Sequence, residues 1–345
     1  SRINSIVSVV AVGSSTSNCS TTAIAISSND ADLSREQVYY ILDKLSAAGV
    51  LMITFTGSEP FLHRDFLDIL RYTINKDFWK ITILTNGSCT NECHIRFISE
   101  NAKYFSTVQF SAFSHIPSVH DSYTGIPGSY QNLIECAKQL KNSNVPVKIA
   151  INILETNYKT FEDSIAFFTK EGFQVSWSIH KLVTSHSSPE TREQIRKETS
   201  VPFFIEFNSM LKEDSIKLER ERFTRLAGRP AEKELTLCKG LFTNIYIDSK
   251  GNLLPCVSFR NMLLGSIFDD RPLYEILNNS HDLQKLKLMR VSDIPKCNKC
   301  KYITVCHICV GINHTETGSV DIPSEQQCNY TYSLASLFGL EKRAT

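Results

Sequence analysis

No stretch of this 345-residue sequence stays apolar for the roughly 18 to 20 residues that cross a bilayer. The start, SRINSIVSVVAVGSS, is mildly apolar, but it has one Arg and no clear small-residue cleavage site. It reads as a strand, with a signal peptide as the weaker reading. These absences point to a cytoplasmic chain with no membrane partner. Neither sign of charge is in excess, with 37 Lys and Arg against 36 Asp and Glu. The balance argues against both a nucleic-acid partner and an acidic disordered arm. With 42% hydrophobic residues a chain of this length can build a large core. A reducing compartment gives it no use for disulfides. Its eleven cysteines therefore need another explanation, and seven of them fall between 238 and 328. Clustering of that kind points to metal.

From residue 6 to about 180 apolar runs alternate with helical patterns. The candidate strands are 6–12, 50–56, 80–85, 107–113, 147–153 and 174–180, all β-branched and nearly continuously apolar, as strands covered on both faces are. Between them Ser34-Arg35-Glu36-Gln37 is a capping box, followed by Val38, Ile41, Leu42 and Leu45 on one face and Gly49 past the end. A second helix runs from Ser129 through Leu133, Ile134, Ala137 and Leu140. A third carries Phe161, Ile165 and Phe168 and stops at Gly172. Strand–helix alternation repeated about six times predicts parallel βα units, in a barrel or an open sheet. The expected organisation is an α/β domain over 1–185, a charged helical bridge over 186–234, and a cysteine-rich domain with a C-terminal helix over 235–345. That last domain is expected to be held by metal more than by core.

Its spacing is Cys238, then Gly251 and Cys256, then Cys297-x2-Cys300-x5-Cys306-x2-Cys309, then Cys328. Two-residue gaps let neighbouring thiolates in a tight turn reach one metal centre. Two structural zincs would take eight ligands, so seven cysteines would need His307 or His314 as well. Two four-iron clusters fit one set of four and one set of three. Elsewhere Cys136 sits helically with Leu133 and Leu140 and reads as core, and Cys89 and Cys93 flank a helix start.

This pattern resembles the SPASM domain, the C-terminal extension of many radical S-adenosylmethionine (SAM) enzymes. The stretch YIDSKGNLLPC (246–256) is similar to the family's hairpin before the second cysteine, and LGSIFDDRPLYEIL (264–277) to the segment usually found after it. The cysteine run ends here in x2 where the family has x3. By the family's interleaving, Cys238, Cys256 and Cys309 would hold a first auxiliary [4Fe–4S] cluster. Cys297, Cys300, Cys306 and Cys328 would hold a second. The resemblance extends upstream and implies a partial (β/α)6 barrel ahead of the SPASM domain. Thr56-Gly57-Ser58-Glu59-Pro60 stands where the family has a Gly-Gly-Glu-Pro turn that meets the methionine end of SAM. Asn86, within Thr85-Asn86-Gly87, and Ser111 complete the implied SAM pocket. The segment His120-Asp121-Ser122-Tyr123-Thr124-Gly125-Ile126-Pro127-Gly128-Ser129 is similar to one common in peptide-maturing members. Its His120 and Asp121 read as loop-capping groups.

The family's radical chemistry needs Cys-x3-Cys-x2-Cys in the loop after the first strand. The matching register here is Ser15, Cys19 and Thr22, with Thr21 where an aromatic is usual, and Ser58 replaces the second glycine of the turn. Hydroxyls stay protonated near neutral pH and are poor iron ligands. Because the flanking positions have changed too, the pattern reads as natural decay and not as a designed knockout. The resemblance thus implies an iron–sulfur protein of ribosomal-peptide maturation without the SAM-cleaving cluster and without catalytic residues. It would bind a precursor peptide or pair with an active radical SAM homologue. Left open are an active enzyme with unusual or altered ligands, an electron-transfer protein using only the auxiliary clusters, and a zinc-stapled binding module.

Overall fold

The six residues TTAIAI form a strand, β1 (Thr21–Ile26), that lies between two parallel partners. One is β2 (Met52–Gly57), in the register Thr21 to Met52 through Ile26 to Gly57. The other is β7 (Asn244–Ile247), from the cysteine-rich half. The structure, a computed structural model, describes residues 21–26, 33–57, 59–87, 91–153, 157–178, 220–221, 225, 237–238, 240–259, 261–306 and 308–339.

From β2 the sheet continues in parallel through β3 (Lys80–Thr85), β4 (Phe105–Ala112), β5 (Val147–Asn152) and β6 (Gln174–Ser178). On the other side of β1, β7 is followed antiparallel by β8 (Asn252–Leu254) and β9 (Gly265–Ser266). The strand order is β6-β5-β4-β3-β2-β1-β7-β8-β9, so the sheet is an open, partial barrel extended by a hairpin. Helices α1 (Arg35–Ala47), α2 (Phe66–Ile74), α3 (Glu92–Glu100), α4 (Pro117–Thr124), α5 (Ser129–Asn142) and α6 (Phe161–Lys170) supply the crossovers. Five of the six expected strands match observed ones to within two residues at each end. The sixth, 6–12, lies outside the described residues; the strand paired with β2 is TTAIAI.

Local chemistry explains the crossovers. The Ser34 hydroxyl accepts from the Gln37 N–H, and the Ser34 N–H donates to Gln37 Oε1 at 2.8 Å, closing the box that starts α1. Val38, Ile41, Leu42 and Leu45 are all fully buried, one stripe facing the sheet. Phe55 on β2 meets Phe66 edge-on at 5.5 Å, and Phe66 meets Phe61 at 5.1 Å. Each such buried ring contributes roughly 1.5–3 kcal/mol through removal from water.

The cysteine-rich half does not stand apart. Ile245, Ile247, Leu253, Phe259, Ile267, Leu273, Ile276, Leu283, Leu286 and Ile294 are buried in the same hydrophobic cluster as the barrel core. The expectation of a domain held by metal more than by core is corrected accordingly: pairing of β7 with β1 lets both halves share one interior. Lys44 on α1 strengthens the seam by donating to the Ile267 carbonyl at 2.9 Å and to that of Asp269. The hairpin turn needs its glycine, since Gly251 has φ +79° and an added Cβ would lie 2.2 Å from the Phe268 ring. Asp248 holds that turn by accepting from the N–H groups of Lys250 and Asn252.

Candidate metal centres and barrel mouth

At the mouth of the barrel, β2 ends on Gly57, whose φ of +126° suits glycine. Ser58 lies outside the described residues. Glu59 does not open toward a ligand: its side chain is 1% exposed and turned inward. Its carboxylate accepts from Thr85 Oγ1 at 2.7 Å, from the Asn86 N–H at 2.7 Å and from the Phe61 N–H at 3.2 Å. Burial pushes its pKa up to about 7 and outweighs these three bonds, which favour the ionised form. Pro60 begins a single 3-10 turn that Glu59 caps. Thr85 Oγ1 also accepts from the Gly87 N–H. The Gly-Ser-Glu-Pro turn is therefore stapled to the end of β3, bringing Gly57, Pro60 and Asn86 to one rim. Ser111, on β4 in register with Ala150, is buried in the same sheet.

Of the degenerate loop, Ser15 and Cys19 lie outside the described residues, while Thr22 belongs to β1 itself, paired with β2 and β7. The link from β1 to α1 is then residues 27–34, Ser-Ser-Asn-Asp-Ala-Asp-Leu-Ser, which contains no cysteine.

His120 and Asp121 are structural. Asp121 accepts from the N–H groups of Gly128 (2.7 Å) and Tyr130 (2.8 Å) and from the Ser129 hydroxyl (2.9 Å), closing the loop that starts α5. The Tyr130 bond, then that of Gly128, holds its carboxyl below the ordinary range. His120 Nδ1 accepts from the Phe113 N–H at 3.3 Å, and burial lowers the pKa of the ring. A depressed carboxyl contributes stability above the ordinary carboxylate range, and that stability is lost as pH falls through the folded value. Asp121→Asn is therefore expected to melt several degrees below the parent at pH 7 and to lose less on acidification. Thermal melts from pH 7 to pH 3 check this.

Members of each expected set lie near one another: Cys256 feels the charges of Cys309 and Cys238, and Cys309 that of Cys238. Cys297 feels those of Cys306, Cys328 and Cys300, and Cys328 that of Cys300. Burial, and then the neighbouring Cys309 and Cys238, push Cys256 up to about 12. Burial and then Cys306, Cys328 and Cys300 do the same for Cys297. Crowded buried thiols resist ionisation until a cation joins them. Cys309 is the N-cap of the helix Val310–Thr317 without a side-chain cap bond, and the nearby backbone N–H groups of Ile312 and Gly311 oppose the effect of burial on its thiol. That helix can approach the Cys256 turn because Gly311 has no side chain: a Cβ there would sit 2.7 Å from Ser258 Cβ.

In the second set, the helix Glu325–Leu337 supplies Cys328, while Thr331 Oγ1 donates to Cys306 Sγ at 3.3 Å. Tyr332 is pushed up to about 12 by burial and by Cys328 and Cys300. Sequence reasoning missed Thr331, Tyr332 and Gly311. The spacing of Tyr332, one helical turn beyond Cys328, was the available signal. Among the described residues no three Cys, His, Asp or Glu side chains converge on a single metal ion.

Two family models match: the radical SAM superfamily over residues 18–168, and SPASM, an iron–sulfur cluster-binding domain, over residues 238–301. The chain belongs to the radical SAM/SPASM family, as a partial (β/α)6 barrel followed by a SPASM domain. It is 27% identical over 288 residues to the antilisterial bacteriocin subtilosin biosynthesis protein AlbA of Bacillus subtilis (strain 168). That alignment covers 80% of this chain and 60% of AlbA. It is 22% identical over 320 residues to an AdoMet-dependent heme synthase of Methanosarcina barkeri (strain Fusaro / DSM 804), covering 87% of this chain and 88% of the synthase. The fold matches that of Streptococcus suis SuiB bound to precursor peptide SuiA, with TM-score 0.66 and 18% identity over 90% of this chain and 76% of SuiB. Among the described residues no helix is long and apolar enough to cross a membrane.

Proposed function

We propose that this chain is an iron–sulfur protein of ribosomal-peptide maturation that lacks the SAM-cleaving cluster and serves as a substrate-binding or partner subunit. The observation that carries this reading is the contrast between its two halves. Seven cysteines gather as two sets at the SPASM end, while the 27–34 link holds none and no cysteine occurs between Cys19 and Cys89. Cys238, Cys256 and Cys309 would hold one [4Fe–4S] cluster, and Cys297, Cys300, Cys306 and Cys328 the other. Bound clusters supply one-electron storage. The chain's own residues bury Cys297 and direct the Thr331 hydroxyl to the Cys306 sulfur.

At the barrel mouth the chain does not fit a third cluster. Gly57, Pro60, Asn86 and Ser111 would keep the frame of a SAM pocket, with no thiolate set beside it among the described residues, and Glu59 serves as a strut. A precursor peptide is the substrate class suggested by the relative that makes subtilosin and by the SuiB–SuiA complex. An active radical SAM homologue is the partner such a frame would serve.

Electron transfer through the two auxiliary clusters alone is a second reading. It is favoured by Gln327, which joins the Cys309 backbone of one set to the helix bearing Cys328 of the other. An active enzyme would need ligands from Cys19, Cys89 or Cys93. Anaerobic reconstitution with iron and sulfide analysis, together with co-purification against precursor peptides and radical SAM homologues, tests the proposal. It requires about eight irons per chain and retention of a peptide or homologue. Iron without either partner favours electron transfer, and zinc in place of iron removes all iron readings.

A further inference from the structure

Cys309 and Cys328 belong to different sets and different helices, yet one side chain joins them. Gln327, next to Cys328 on the helix Glu325–Leu337, lays its amide along the backbone of Cys309. Its Oε1 accepts from the Cys309 N–H at 2.8 Å, and its Nε2 donates to the Cys309 carbonyl at 3.4 Å. Nε2 also donates to Asn313 Oδ1 at 3.1 Å.

Asn313 is fully buried one turn beyond Cys309, and its remaining bonds hold it in place. Its Oδ1 accepts from the Ser324 N–H at 2.9 Å, and its Nδ2 donates to the Val320 carbonyl at 3.1 Å. Ser324 in turn caps the helix that carries Gln327, accepting from the Gln327 N–H. The N-terminal ends of the two cysteine-bearing helices are thus joined by a closed set of polar bonds, with Gln327 at its centre.

Cys309, the N-cap of its helix, makes no side-chain cap bond. The amide of Gln327 pairs with the Cys309 backbone N–H, which lies ahead of the helix and has no helical carbonyl to serve it. Without it, the Cys309 backbone could rotate and move its sulfur away from Cys238 and Cys256.

We infer that Gln327 is a positioning residue that fixes Cys309 against the helix bearing Cys328, and so sets the geometry and reduction potential of the centre on the first cysteine set. The inference rests on the proposed assignment of clusters to the two sets. Partners of this kind, one step out from the metal ligands, commonly alter affinity about 10- to 100-fold when removed.

The test uses the reconstituted full chain with Gln327→Leu, which removes the amide, and Gln327→Glu, which keeps the acceptor for the Cys309 N–H and loses the donor. A Cys238→Ser background assigns the paramagnetic signal of the first set. With Gln327→Leu the expected result is a shifted signal and midpoint potential for that set only. Chelator should strip its iron about tenfold faster, while the second set keeps its signal. Gln327→Glu should restore most of the chelator resistance. Unchanged spectra and potentials in both variants would overturn the inference. So would an equal loss from both sets with a lowered melting temperature, which marks a purely structural role. If the parent chain binds no iron, the cluster assignment itself fails, a result separable from either of these.

Discussion

Cys297→Ser will remove about four of about eight irons per chain and leave the other centre's signal in place. Cys297 is 7% exposed and packs in the main core on a single turn, Pro295–Asn298, whose backbone accepts from the Cys300 N–H at 3.0 Å. That turn fixes the first two sulfurs of the second set side by side. Serine in this position keeps its proton near neutral pH and cannot replace the thiolate. Because metal binding to a site assembled by folding is itself folding free energy, the variant should also melt earlier. The first set lies on Cys238, the Cys256 turn and the Val310–Thr317 helix, none of which passes through Cys297, so its iron should remain. Iron and sulfide analysis with the spectrum of the reduced protein checks both parts. Full iron content would show that Cys297 is no ligand, and loss of all iron would show that the two sets form one centre.

Glu59→Ala will destabilise the chain by roughly 2–4 kcal/mol, since it strands the Thr85 hydroxyl and the Asn86 and Phe61 N–H groups in a buried site. The pH dependence is more diagnostic. With a folded pKa of about 7 against an ordinary 4.5, the native state holds a proton that the unfolded chain has released over this window. The contribution is therefore fully present below pH 4.5 and is lost as pH rises through 7, at about 1.4 kcal/mol per unit of difference. Glu59→Gln removes that slope. It also sets an amide N–H₂ against one of the donors the carboxylate served, so it should be less stable than the parent and flatter with pH. Denaturant melts between pH 4.5 and pH 8 decide the matter. An unchanged slope in the variant would mean that Glu59 titrates normally and is solvated.

How much of this structure was legible in sequence depends on the range of the interactions involved. The capping box at Ser34 and Gln37 and the stop at Gly172 depend on neighbours a few residues away, and they stand where local chemistry puts them. The strands β2 to β6 were legible because β-branched runs covered on both faces leave little choice. The strand TTAIAI was not, because what marks it is pairing with Met52–Gly57 and with Asn244–Ile247, more than 200 residues downstream in the second case. That same distant pairing merges the two cores, so a boundary read from composition near residue 235 marks a change of chemistry and not of packing.

The cysteine sets were legible through spacing, which is local within Cys297–Cys309 and a matter of resemblance for the rest. The groups that position them were not. Gly311 is small because Ser258 and Phe259 press on it, and Gln327 is an amide because Cys309 lies across from it. Neither fact leaves a mark in a single sequence. At the barrel mouth, Glu59 matched a family motif while the structure gives its carboxylate to Thr85 and Asn86. The motif marks the turn, and in this chain bonds within the fold hold it.

The central claim is that the barrel retains its shape without its SAM-cleaving centre. The most direct measurement is 5′-deoxyadenosine formation by the anaerobically reconstituted full chain, supplied with dithionite and S-adenosylmethionine and analysed for iron in the same sample. The account predicts about eight irons per chain and no deoxyadenosine above a control lacking protein. About twelve irons with deoxyadenosine formed in proportion to enzyme would contradict it.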